Sequence, residues 1–189
     1  RSAMRVLQLM QKDGCAPDIS ICNVAVNVLV FAGRIDKALE FSDRMRRVGD
    51  EPDVVTYNCL IKGLCSVRRV VEALEMISVM LQNGCPPDKI TYYTVMGFLC
   101  KEKRVAEVRG LLGRMMNDAG LFPDQVTYNM LIHVLAKHGH ADEALEFLRE
   151  SEGKRFRVDE VGYSAVVHSF CLNGKMAEAK EIVGEMISK

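Results

Sequence analysis

An all-α solenoid of helix–turn–helix hairpins is the fold class this sequence predicts, and three observations predict it. The dipeptide Pro-Asp recurs at Pro17-Asp18, Pro52-Asp53, Pro87-Asp88 and Pro123-Asp124, with Val158-Asp159 as a fifth copy. The aspartates are 35, 35, 36 and 35 residues apart. Within each period the apolar residues form two runs of helical spacing, separated by a short break. A fixed period of this size marks a repeat architecture, because a single hairpin cannot bury its apolar faces and must stack on its neighbours.

The period divides the chain into a partial unit (1–18), four complete units (19–53, 54–88, 89–124, 125–159) and a nearly complete last one (160–189). In the second complete unit Tyr57, Leu60, Ile61 and Leu64 are spaced i, i+3, i+4, i+7 and predict the first helix. A break follows near Ser66–Arg68, with Gly33, Gly139 and Gly174 at the equivalent place elsewhere, each suited to a helix C-terminus. Val71, Leu74, Met76, Ile77 and Met80 predict the apolar face of the second helix. That helix ends at Gly49, Gly84 or Gly120, and the Pro-Asp beyond stops it, since proline cannot continue a helix. Small residues recur at position 12 (Val30, Cys65, Cys100, Ala136, Cys171) and position 20 (Ala38, Ala73, Val108, Ala144, Ala179), with Ala3 in the partial unit, and would let helices approach closely.

Composition narrows the function classes. The 189 residues are 49% hydrophobic and 26% charged, which suits a folded chain and opposes disorder. Lys+Arg and Asp+Glu are 25 each, so nothing in the net charge favours nucleic acid. No run of 18 apolar residues exists, so no membrane-spanning helix is predicted. No signal or transit peptide is visible, and the opening at Arg1 reads as the start of a piece of a longer protein. Seven cysteines without a Cys-x-x-Cys pair argue against a zinc knuckle and for reduced, packed thiols. No phosphate loop, zinc-protease helix, nucleophile elbow or deaminase signature appears, so neither an enzyme nor a cofactor is expected.

Val54-Val55-Thr56-Tyr57-Asn58 followed by Leu60-Ile61-Lys62-Gly63-Leu64-Cys65 resembles the opening of a pentatricopeptide repeat. Gln125-Val126-Thr127-Tyr128-Asn129 is similar to the same opening. Gly33-Arg34-Ile35-Asp36-Lys37-Ala38-Leu39-Glu40 and Ala141-Asp142-Glu143-Ala144-Leu145 resemble its middle, and Gly49-Asp50-Glu51-Pro52-Asp53 its end. The related tetratricopeptide repeat has a 34-residue period and a tryptophan signature; here the period is 35 and tryptophan is absent. The uniform units resemble the plain (P-type) subclass. The resemblance implies a right-handed superhelix that binds single-stranded RNA, one base per repeat.

In that resemblance the base is read by position 5 of a unit together with its final residue, counting from the residue after each aspartate. This implies the pairs Asn23 with Asp53, Asn58 with Asp88, and Asn129 with Asp159. In the family Asn with Asp favours uridine; a carboxamide carries both a donor and an acceptor for a base edge. The unit 89–124 departs, with Tyr93 opposite Asp124, and the last unit has Ser164, which leans to purine. The implied register is U-U-?-U-purine. Base sandwiching falls to position 2: Ser20, Val55, Ile90, Val126 and Val161. Phosphate contact falls to position 13, basic at Lys101 and Lys137 but Phe31, Ser66 and Leu172 elsewhere. The implied setting is organellar, mitochondrion or chloroplast, in RNA processing, stability, splicing or translation.

The same residues carry plainer readings. Asn at position 5 is a favoured N-cap, and the aspartate a turn or helix-dipole residue. Tyr at position 4 (Tyr57, Tyr92, Tyr128, Tyr163) lies on the apolar period and reads as packing, as do Met10, Met45, Met80, Met115 and Met186 at position 27. Cys65, Cys100 and Cys171 read as packed; Cys15 and Cys85, beside the Pro-Asp turn, as more exposed. His133, His138 and His140 lack the further ligand a metal would need. The competing function is a protein-interaction solenoid whose groove holds a peptide or a subunit. Truncated faces bearing Val6, Leu7 and Val183 predict end-to-end self-association.

Overall fold

The computed structural model of the protein describes residues 18–47, 49–156 and 160–188. Asp159, Cys15, Val6, Leu7, Met10 and Ala3 lie outside the described residues. Among the described residues are ten α-helices and no strand: α1 (Ile19–Phe31), α2 (Ile35–Arg47), α3 (Val54–Ser66), α4 (Val70–Gln82), α5 (Lys89–Lys101), α6 (Val105–Asn117), α7 (Gln125–Lys137), α8 (Ala141–Gly153), α9 (Glu160–Leu172) and α10 (Met176–Ser188). The chain divides into two compact units, Arg1–Val95 and Met96–Lys189, with the division inside α5.

The aspartates explain where the first helices begin. Asp18, Asp53, Asp88 and Asp124 each accept a hydrogen bond from the backbone N–H three residues on, at 2.8, 2.8, 2.8 and 3.0 Å. Each satisfies a donor that a helix start leaves without a partner, typically about 1 kcal/mol per cap. The turn inside the first hairpin closes with Gly33 N–H on Val30 O and Arg34 N–H on Leu29 O, both 2.9 Å, with Gly33 at φ +69°. Arg68 and Lys103 hold the equivalent place at φ +63° and +57° without being glycine. A side chain there costs about 1 kcal/mol.

In the first unit α1 packs against α2 and α3, α2 against α3, and α3 against α4. Cys22, Ala25, Val26 and Leu29 of α1 meet Ala38, Phe41 and Met45 of α2 and Leu60 of α3 in one buried cluster. Tyr57, Leu60, Ile61 and Leu64 are all buried, as their spacing predicts. The second helix differs from expectation. Its buried face is Val70, Ala73, Ile77 and Met80, while Val71 is 63% exposed. A helix turns about 100° per residue, so only one of the adjacent Val70 and Val71 can face inward, and Val70 keeps the i, i+3, i+7 row. The tightest approach is at Gly63, where a Cβ would lie 2.8 Å from Ile35 Cδ1 and 2.9 Å from Val30 Cγ1.

In the second unit α7 packs on α8 and α9, and α9 on α8 and α10. Tyr128, Leu131, Ile132 and Leu135 of α7 are buried, as are Ala144, Phe147 and Leu148 of α8 and Val166 and Phe170 of α9. Cys100 is buried there and Cys65 in the first unit, and burial pushes their thiols up to about 12 and about 11. Cys171, expected to be packed like them, is exposed. Val30, at the equivalent place in α1, lies against Gly63 of the next first helix. No further first helix lies beyond α9 among the described residues, so Cys171 has no such cover.

Candidate nucleic-acid interface

Within each unit the first helices are neighbours, α1 beside α3 and α7 beside α9. The fifth residue of one first helix therefore approaches the aspartate that caps the next. Asn23 Nδ2 donates to both carboxylate oxygens of Asp53, at 3.0 and 3.2 Å. Asn58 Nδ2 donates to Asp88 Oδ1 at 3.3 Å. Two of the pairs proposed from sequence are thus joined directly. Both asparagines lie inside helices, five residues past the cap, so neither is an N-cap; the aspartates cap. Each aspartate serves two partners at once, the turn ahead of it and the carboxamide behind.

The electrostatics follow from that donor set. Burial pushes the Asp53 carboxyl up, but the Thr56 N–H, the Asn23 amide, the Thr56 hydroxyl and the Val55 N–H outweigh it and hold it below the usual aspartate range. Asp88 is lowered in the same way, burial being outweighed by the Thr91 N–H and hydroxyl, the Asn58 amide and the Ile90 N–H. Both carboxylates are ionised at neutral pH and act only as acceptors.

The remaining expected residues are placed as follows. Asn129, Tyr93 and Asp124 are half-buried, Ser164 is exposed, and Asp159 is outside the described residues. Tyr93 belongs to the first unit and Asp124 to the second. Val55, Ile90, Val126 and Val161 stand 56–63% exposed in the first turns of α3, α5, α7 and α9, and Ser20 is exposed in α1. Single exposed aliphatics are ordinary on a protein surface; here they recur at one helical place, three residues before the expected readers. Lys101 and Lys137, the last residues of α5 and α7, are exposed. Phe31 takes that place in α1, and Lys62 Nζ rests 6.0 Å from its ring centroid. The tyrosines at position 4 pack inside, with Tyr57, Tyr92 and Tyr128 fully buried. His138 Nδ1 lies 2.8 Å from Val134 O, and among the described residues no group of three His, Cys, Asp or Glu is arranged to hold a metal.

Sequence reasoning missed the threonines. Thr56, Thr91 and Thr127 follow the cap aspartates by three residues and are fully buried. Thr91 Oγ1 donates to Asn58 Oδ1 at 2.7 Å, and the Thr56 hydroxyl donates to Asn23 Oδ1. The signal was present, since Thr recurs at position 3 of three units. It reads as an unremarkable first-turn residue until the neighbouring helix is in place.

Comparison with known proteins supplies the remaining context. A model described as PPR repeat family matches residues 17–66 and 52–101, and PPR repeat models match 90–118, 119–150 and 154–187. Small ribosomal subunit protein mL103 of Arabidopsis thaliana is 26% identical over 69 residues, 36% of this chain and 17% of that protein. A mitochondrial pentatricopeptide repeat-containing protein of the same plant is 31% identical over 67 residues, 35% of this chain and 16% of its own length. The matches thus span under a fifth of these relatives. The crystal structure of maize PPR10 is similar over 98% of this chain and 27% of its own, at 28% identity and a TM-score of 0.82. PPR10 in complex with an 18-nt psaJ RNA element is similar over 95% of this chain and 26% of its own, at 28% identity and a TM-score of 0.74. The fold class is therefore the all-α array of helical hairpins that these structures share.

Proposed function

This chain belongs to the pentatricopeptide repeat family, and from that premise we propose that it binds single-stranded RNA by sequence, one base per repeat. The repeats are 19–53, 54–88, 89–124, 125–159 and 160–189, with 1–18 as the end of another. Position 5 and the closing aspartate of a repeat read one base edge: Asn23 with Asp53, Asn58 with Asp88, Asn129 with Asp159. These three places take uridine, Ser164 takes a purine, and the Tyr93 repeat is unassigned, so the strand is uridine-rich. Ser20, Val55, Ile90, Val126 and Val161 press on base faces, and Lys101 and Lys137 meet phosphates. The observation that carries this reading is the carboxamide–carboxylate contact at two successive first helices, Asn23 to Asp53 and Asn58 to Asp88. The similarity to PPR10, whose structure was also solved with RNA, supports it.

The chain acts by binding and not by catalysis. It holds an extended transcript segment in a mitochondrion or chloroplast, where occupancy protects, unfolds or positions the RNA for processing, splicing or translation; similarity to a mitochondrial protein supports the organellar setting. Exposed Leu172, Met176, Val183 and Ile187 on α9 and α10 support self-association through that face.

Fluorescence anisotropy with short RNAs tests the reading. The chain prefers uridine at the places addressed by Asn23, Asn58 and Asn129, and Asn58→Ser shifts the preference at its own place alone from uridine to purine. A preference for adenosine or cytidine at those places overturns the register. Absence of RNA binding at moderate salt overturns the function and favours a solenoid that binds protein.

A further inference from the structure

We infer that the threonine in the first turn of each following repeat, Thr56 for Asn23 and Thr91 for Asn58, is a positioning residue that fixes which way the reading amide faces and so separates uridine from cytidine. The inference rests on the RNA reading above. It starts from counting protons. The Asp88 carboxylate is ionised and can only accept, so the Asn58 group that faces it at 3.3 Å is the NH2. That turns Asn58 Oδ1 toward Thr91 Oγ1, 2.7 Å away. Two oxygens that close repel unless a proton lies between them, and an amide oxygen has none to give. The Thr91 hydroxyl proton must therefore point at Asn58 and not at Asp88 Oδ1, its other acceptor at 2.9 Å. The backbone N–H of Asp88 donates to Thr91 Oγ1 at 3.2 Å, which occupies a lone pair and favours the hydroxyl as donor. Thr56 makes the same bond to Asn23, and the two Asp53 oxygens accept one shared N–H of the Asn23 NH2, at 3.0 and 3.2 Å.

Held at both ends, each amide keeps one N–H and one oxygen lone pair free, in a fixed order. Uracil offers an acceptor at O4 beside a donor at N3; cytosine offers a donor at N4 beside an acceptor at N3. The two edges are mirror patterns, and an amide that swapped its ends would read the other base. The aspartate opposes that swap from one side and the threonine from the other. Both threonines are fully buried, so water does not substitute for the hydroxyl. Asn129 is followed by Gly162 at the threonine's place, so the test belongs to Asn23 and Asn58.

The experiment compares the full chain with Thr91→Val, which keeps the shape and loses the proton, and Thr91→Ser, which keeps the proton. Binding is measured to RNA oligomers that keep uridine at the places read by Asn23 and Asn129 and a purine at that of Ser164, and carry uridine or cytidine at the place read by Asn58. The uridine-to-cytidine affinity ratio falls by about 3- to 10-fold in Thr91→Val, the weight of one hydrogen bond, and is kept in Thr91→Ser. A purely structural role lowers both affinities and leaves the ratio alone, which overturns the inference. Thr56→Val repeats the measurement at Asn23 if Thr91→Val does not fold. In the RNA-free protein, Thr91→Val also loosens the Asn58 side-chain NH2, read as a lower 15N order parameter; an unchanged amide overturns the inference too. A parent chain that binds no RNA defeats the RNA reading, while the amide measurement still decides whether the threonine holds the asparagine.

Discussion

Asp53 and Asp88 each cap a helix and hold a carboxamide of the preceding repeat, and this double use has a pH signature. Their carboxyls sit below the ordinary value near 3.8, so the stability they add is present above that value and is lost as pH falls through their lower folded values. Thermal unfolding followed from pH 7 to pH 2.5 is expected to lose midpoint temperature below about pH 4. Asp88→Asn, which cannot ionise, is expected to lose less over the same range. A parallel fall in both proteins would remove Asp88 from the account. At this scale the pairing came from the resemblance to a known repeat; the residues alone show only that Asn23 and Asp53 stand at the same separation as Asn58 and Asp88. The threonine was not, since its hydroxyl acquires meaning only from an oxygen 33 residues away.

The hairpins owe their spacing to close contact between elements. Gly63 of α3 sits where α1 and α2 come nearest, so Gly63→Ala drives a methyl into Val30 and Ile35. Overpacking of this kind costs roughly 1–3 kcal/mol. Gly110, inside α6, has nothing within 4 Å of an added Cβ. Gly110→Ala is expected to stabilise by up to about 1 kcal/mol, the helix preference of alanine over glycine. Urea unfolding of the two variants checks both signs. Helix starts were readable because the proline cannot continue the helix before it and the aspartate after it caps the next. The inner turns were half readable: Gly33 marks one, whereas Arg68 and Lys103 adopt the same left-handed geometry with residues that give no such cue. Val71 was misplaced because adjacent valines satisfy an apolar count equally, and only packing chooses between them.

Across the whole chain the charges balance, 25 against 25, and many cations are already engaged. Arg69 reaches Asp36 of the preceding hairpin at 2.5 Å, and Lys175 reaches Asp142 at 2.7 Å. Such exposed pairs add little stability but withdraw positive charge from a polyanion. If Lys101 and Lys137 are the two phosphate contacts, as proposed, log affinity against log salt is expected to fall with a slope of about −1.4, against a far steeper line for a basic groove. Titration between low and moderate salt checks this. The overall class was legible because every period repeats the same division of labour. The fate of Cys171 was not, because burial at its place depends on the neighbour that follows and not on the residue itself. The sharing of each amide between one hairpin and the start of the next has an evolutionary consequence. If recombination excised residues 54–88, Asn23 would still meet Asp53, now followed by the first turn that carries Thr91. On the proposed RNA reading the message would lose one letter and none of the others would be garbled, so the vocabulary could lengthen or shorten by unequal crossing-over without the alphabet being relearned.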